Sequence, residues 1–189
     1  SLEFSYAIEN TGQESFKGFW SAHPLFNAVE GMQILLSGNR PMTKEFGFSG
    51  RIGSDGVDGY VGHLDTYTWP NTMGESGRGY DLSQITLAEP LTDKVVVSAP
   101  DDGVITLLNP RHNCSVRFLL NPQEIPYVGI CFNLDAWPFT GHKARWLAIE
   151  PSTGPTDKLD DSDRMCEIPV FTPQKPVTFG FMLTFSSLL

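Results

Sequence analysis

The chain lacks long apolar runs: none of its 189 residues begins an uninterrupted stretch of the ~18 that a membrane-spanning helix needs. It also lacks a basic stripe. Thirteen Lys and Arg stand singly against 22 Asp and Glu, a formal net charge of −9. A nucleic-acid or anionic-membrane surface needs clustered cations to displace counterions, so neither is expected as a partner. Cysteine is scarce: Cys114, Cys131 and Cys166 are odd in number and show no Cys-x-x-Cys spacing. Buried free thiols in a reducing cytoplasm are therefore expected rather than a disulfide frame or a zinc site. There is no His-x-His or His-Glu-x-x-His pair, no Gly-x-Ser-x-Gly, no phosphate-binding glycine loop and no dinucleotide fingerprint. Neither a metal nor a nucleotide cofactor is expected. No amphipathic helix longer than two turns is visible; the best short candidate is the acidic segment 157–164.

What remains is a period of two. Leu2, Phe4, Tyr6 and Ile8 alternate with Glu3, Ser5, Ala7 and Glu9, the pattern of a half-buried strand. Similar runs occur at 32–36, 84–88, 94–98, 103–108, 115–120, 127–133, 144–149 and 177–185. In the last, Val177, Phe179, Phe181 and Leu183 share one side. The 18 Gly and 14 Pro fall mainly between these runs as turn punctuation. Short strands at regular spacing, without intervening helices, predict an all-β antiparallel sandwich or barrel. The stretch 37–83 is the irregular part, with short strands expected near 57–61 and 64–69.

Few residues stand out as candidates for chemistry. His23, in Trp20-Ser21-Ala22-His23-Pro24-Leu25-Phe26, follows an aromatic run at a strand end. It reads either as an active imidazole or as a core-edge His bonded to a carbonyl. Glu150 closes the apolar strand Trp146-Leu147-Ala148-Ile149 and precedes Pro151. A carboxylate held there suits a general base; a solvent-facing strand end is the alternative. Asp93 opens the strand Lys94–Val97 and could simply cap a turn. Trp69 and Trp137 each precede a proline. An indole exposed in a cleft stacks on the apolar face of a sugar ring; a core plug beside a loop is the other reading. Asp157, Asp160, Asp161 and Asp163 lack the order of a calcium loop and read as a solvated face.

Taken in order, four segments resemble the galactose mutarotase-like superfamily, which includes aldose 1-epimerases and hexose-6-phosphate epimerases. They are residues 2–12 (LEFSYAIENTG), 20–26 (WSAHPLF), 92–98 (TDKVVVS) and 147–154 (LAIEPSTG). Tyr67-Thr68-Trp69-Pro70 and Asp81-Leu82-Ser83 resemble the uncharacterised branch of that group. The resemblance implies one large twisted antiparallel β-sandwich, a supersandwich with few or no long helices, with a sugar in a cleft across one sheet. It implies Glu150 as general base, His23 as general acid and Asp93 as a contact to sugar hydroxyls. The implied activity is interconversion of the α and β anomers of a hexose or related sugar, in the cytoplasm and without a cofactor. The implied ligand is a monosaccharide or sugar phosphate. A non-catalytic carbohydrate-binding module, or a structural sandwich, are the competing readings. Family members are usually longer, and their N-terminal part supplies an Arg and a second His to the sugar site. Residues 1–189 are accordingly expected to be one domain, the C-terminal two-thirds of a longer protein. Leu25 stands where mutarotases proper tend to have Tyr.

Overall fold

In the computed structural model, which describes residues 1–47, 51–52, 66–74, 76–138, 140–164 and 168–188, the period-two segments become strands. In chain order these are β1 (Leu2–Ile8), β2 (Phe16–Lys17), β3 (Leu25–Asn27), β4 (Gln33–Leu36), β5 (Arg40–Gly47), β6 (Thr66–Trp69), β7 (Asn71–Met73) and β8 (Gly79–Asp81). The second half adds β9 (Leu91–Ser98), β10 (Val104–Asn109), β11 (Cys114–Leu120), β12 (Tyr127–Leu134), β13 (Arg145–Ser152), β14 (Val170–Phe171) and β15 (Val177–Ser187). Among the described residues the one α-helix, α1 (Leu159–Arg164), falls inside the segment expected to be helical, and a 3₁₀ turn spans Pro110–His112.

The strands form an antiparallel β-sandwich, as the pattern predicted. One sheet has five strands in the order β1-β15-β11-β10-β4, the other eight in the order β3-β13-β12-β9-β5-β6-β7-β8; β2 and β14 pair separately. The core lies between the two large sheets. Ile105, Leu107, Phe118, Phe179, Phe181 and Leu183 enter it from the five-stranded sheet, and Met42, Val95, Val97, Ile130, Phe132, Leu147 and Ile149 from the eight-stranded one. Phe118 of β11 meets Phe26 of β3 edge-on, with ring centroids 5.9 Å apart, joining the layers. Burying one such ring contributes roughly 1.5–3 kcal/mol.

Three local expectations need correction or qualification. The run 84–88 forms no strand: Gln84 makes an isolated bridge to Gln33, and the buried Ile85 exchanges backbone hydrogen bonds with Met32 and Gly31. The irregular stretch contains a long strand, β5, whose buried charges Lys44 and Glu45 hide its alternation. The strand expected at 57–61 lies outside the described residues, as does Cys166. Cys131 is a buried free thiol and Cys114 a half-buried one. Among the described residues no helix is long and apolar enough to cross a membrane.

Phe118 is fully buried at the junction of the two sheets. Phe118→Ala is expected to destabilise the fold by about 3–5 kcal/mol, measured by denaturant unfolding. A loss below about 1 kcal/mol would show that the sheets do not depend on this contact.

Candidate functional site

Register in the eight-stranded sheet decides which side chains meet. Leu25 pairs with Ala148 and Asn27 with Trp146, and the same register continues to a bridge between Ser21 and Ser152. His23 therefore lies across from Glu150. Glu150 pairs with Gly129 on β12, Gly129 with Val96 on β9, and Val96 with Thr43 on β5. The neighbouring row runs Leu25, Ala148, Cys131, Lys94 and Phe46. Residues directly opposite in antiparallel strands share a face, and so do residues two apart on one strand. His23, Glu150 and Lys94 thus stand on one face of the sheet, the one turned away from the sandwich core.

The geometry at Glu150 is asymmetric. Its Oε2 accepts a hydrogen bond from Lys94 Nζ at 2.7 Å. Its Oε1 lies 3.2 Å from His23 Nε2, yet this oxygen is buried and has no hydrogen-bond partner in the structure. The His23 side chain is half exposed, at 52%, against 4% for Glu150. The segment holding His23 is tied to β13 through Ala22 N–H, which donates to the Pro151 carbonyl at 3.0 Å. Glycine at 129 makes room for the carboxylate. A Cβ there would stand 3.1 Å from both Cβ and Oε2 of Glu150, tighter than ordinary packing.

The Lys94 ammonium is shared. It also donates to Asp157 Oδ1 at 2.7 Å, which draws the segment after β13 over this face. The Asp157 N–H in turn donates to Glu45 Oε2 at 3.1 Å. Glu45 sits where the pairing of β5 with β9 shifts register between Lys44 and Phe46. Burial pulls Lys94 down, but the facing Glu150 and Asp157 carboxylates outweigh it and hold the lysine above its ordinary pKa. Burial pushes the Glu45 carboxyl up to about 7, and the nearby Asp157 charge pushes the same way. The Cys131 thiol is pushed up to about 12, by burial first and the Glu150 charge second, so it is neutral. Among the described residues no group of three or more His, Cys, Asp and Glu could hold a metal.

The structure brings His23 and Glu150 together and separates the other candidates. Asp93 is fully buried on the opposite, core-facing side, in the row of Phe132, Leu147 and Phe26. Its Oδ2 accepts a 2.8 Å hydrogen bond from Arg51 Nε, and the Arg51 guanidinium lies 4.7 Å from the Phe132 ring centre. The expected sugar contact by Asp93 is therefore corrected. Neighbours on a strand point to opposite faces, and it is Lys94 that shares a face with Glu150. Trp69 is 3% exposed within the core, so it is the plug rather than the stacking residue. Trp137 is 50% exposed, with its backbone clamped by both side-chain amide atoms of Asn133 at 2.8 and 2.9 Å. Sequence reasoning missed Lys94, Glu45, Asp157 and Trp146. Trp146 meets the His23 ring edge-on at 5.9 Å. Its signal was available: on β13, Trp146 and Glu150 have the same parity. Of the acidic cluster expected to be solvated, Asp157 instead enters the charged site, and Asp163 pairs with Lys17.

The fold has known counterparts. The chain superposes on a galactose mutarotase related enzyme from Lactobacillus acidophilus with a TM-score of 0.59 and 18% identity, covering 98% of this chain and 57% of the other. A galactose mutarotase-like protein from Lactobacillus casei matches with a TM-score of 0.59 and 16% identity, over 97% of this chain and 58% of that one. The Slr1438 protein from Synechocystis sp. PCC 6803 matches with a TM-score of 0.63 and 14% identity, over 98% and 50%. The chain thus has the galactose mutarotase-like fold and spans little more than half the length of these structures. No protein-family model matches it, and no curated protein matches it in sequence.

Glu45 supplies a measurable consequence. Its carboxyl ionises at about 7 in the fold against 4.5 unfolded, so its contribution to stability is complete below pH 4.5 and is lost as pH rises through 7. Glu45→Gln keeps the acceptor for the Asp157 N–H and removes the titration. The stability gain of this variant over the parent is expected to grow by up to about 3 kcal/mol from pH 4.5 to pH 8.5. Urea unfolding at the two pH values reads it, and parallel curves for parent and variant would refute it.

Proposed function

We propose that this chain carries the acid–base pair of an aldose 1-epimerase type of site, which interconverts the α and β anomers of a hexose or related sugar. The observation that carries the reading is the pairing of the buried Glu150 Oε1 with the half-exposed His23 Nε2 at 3.2 Å. The fold, shared with proteins described as mutarotase-related, supports the same chemistry. Fold alone does not assign function, so the weight rests on the pair.

The reaction needs one base and one acid. Glu150 takes the proton from the C1 hydroxyl, and the electron pair left on that oxygen forms the aldehyde C=O. The bond from C1 to the ring oxygen breaks, and the ring oxygen takes a proton from His23. Half a turn about the C1–C2 bond presents the other face of the aldehyde. Closure runs the same steps backwards: His23 removes the hydroxyl proton as the ring oxygen attacks C1, and Glu150 returns its proton to the former carbonyl oxygen. No net oxidation occurs. The half-exposed His23 ring is the movable partner; turning it aside admits the sugar oxygens between the two groups, while Glu150 stays fixed on its strand. Trp146, beside His23, offers an apolar surface to the sugar ring. Trp137 stands farther along the same sheet, beyond the end of β12, as a second exposed indole.

Anomeric exchange measured by NMR across free and 6-phosphorylated hexoses tests the reading and names the sugar. Each positioned acid or base contributes about 10²–10⁴ in rate, so Glu150→Gln and His23→Asn should each lower exchange by that order. Exchange that survives both substitutions would refute these roles. Saturable sugar binding without exchange would make the site one of recognition.

A further inference from the structure

We infer that Lys94, steadied by Asp157, is the positioning residue of Glu150: by engaging Oε2 it leaves Oε1 as the oxygen that exchanges protons. The inference deepens the epimerase reading and rests on it for its kinetic consequences. A free carboxylate presents two equivalent oxygens and rotates between them. Here the equivalence is broken by one ammonium group. Lys94 Nζ lies 2.7 Å from Glu150 Oε2, and the oxygen left over faces His23.

The lysine is itself fixed. It is buried on β9, central in the sheet, and its second hydrogen bond goes to Asp157 Oδ1 at 2.7 Å. Asp157 is held in turn through its backbone N–H by Glu45. A chain of contacts thus runs from β5 through the segment after β13 to Lys94, Glu150 and His23. Among the described residues, the titratable groups around Lys94 and Glu150 are His23, Cys131, Glu45 on β5 and Asp157 beyond β13, with Asp161 of α1 adding its charge near Glu45. Cys131 is neutral, and Lys94 stays protonated between its two carboxylates. Lysine here does not touch the reacting atoms. It acts through Glu150, by setting the direction of one carboxylate and supplying its countercharge. Misplacing a reacting group by about 1 Å is worth up to ~10²-fold in rate.

The test uses Lys94→Met, Lys94→Arg and Asp157→Asn in the intact protein. Two readouts are followed: anomeric exchange from pH 5 to 9, and the imidazole ¹⁵N resonances of His23. Lys94→Met should lower kcat about 10- to 100-fold, with KM within about threefold of the parent. The acid limb of its kcat profile should move to higher pH, because a carboxylate without its cation takes up a proton more readily. Lys94→Arg should recover part of kcat and return the limb. The His23 resonances should move in Lys94→Met as the facing oxygen turns. If the parent exchanges no sugar, the epimerase reading fails, and the His23 resonances still decide whether Lys94 orients Glu150. Asp157 is partly exposed, so Asp157→Asn keeps the test open if Lys94→Met does not fold; it should give a smaller kcat loss and a smaller resonance shift of the same sense. A folded Lys94→Met or Asp157→Asn with the parent's kcat, pH profile and His23 resonances overturns the inference. So does a lowered melting temperature as the sole change.

Discussion

Two carboxylates and one ammonium group meet on one face of the sheet, with Lys94 and Glu150 buried and Asp157 partly exposed. Lys94 Nζ stands between Glu150 and Asp157 at 2.7 Å from each. Buried charges persist only when paired and hydrogen-bonded, and removing one partner leaves the other stranded. Much of the local structure follows from that constraint. Lysine must occur at the position of β9 that shares a face with Glu150. Position 129 must be small enough for the carboxylate to lie across it. The segment after β13 must fold back far enough to bring Asp157 to the lysine. Glu45, on the shifted register of β5, then receives the Asp157 N–H and gives up its ordinary acidity by being buried there.

The same arrangement separates structural from chemical roles among groups that look alike in composition. Arg51 and Asp93 form a second buried pair on the opposite face, stacked on Phe132 within the sandwich. Asp93 is fully buried there, on the side of the sheet away from Glu150. Glu150 differs because one of its oxygens faces a half-exposed imidazole at 3.2 Å.

How much was legible in the sequence follows from alternation. Strands with one polar and one apolar side, such as β1 and β15, were plain, and so was the sandwich they build. His23 and Glu150 stand out in the sequence because each closes an apolar run beside a proline, and the structure places them side by side. Asp93 was misassigned because every residue of β9 from Leu91 to Val97 is buried. A strand buried on both sides has no polar face to mark its parity, so the direction of Asp93 and Lys94 emerges only from the register with β12 and β13. β5 was missed because Lys44 and Glu45, both buried, read as surface residues. Asp157 was hidden among acidic neighbours; nothing in local spacing marks the one that reaches a lysine 63 positions away. Trp69 and Trp137 drew notice through their prolines, while Trp146, inside a strand, is the indole that meets His23.

In a crystal structure of the intact protein with its tightest-binding hexose, the C1 hydroxyl is expected within about 3 Å of Glu150 Oε1, with the His23 ring turned aside and Lys94 still on Oε2. A sugar seated elsewhere on the sandwich, or one gripped by both Glu150 oxygens with Lys94 released, would contradict that arrangement.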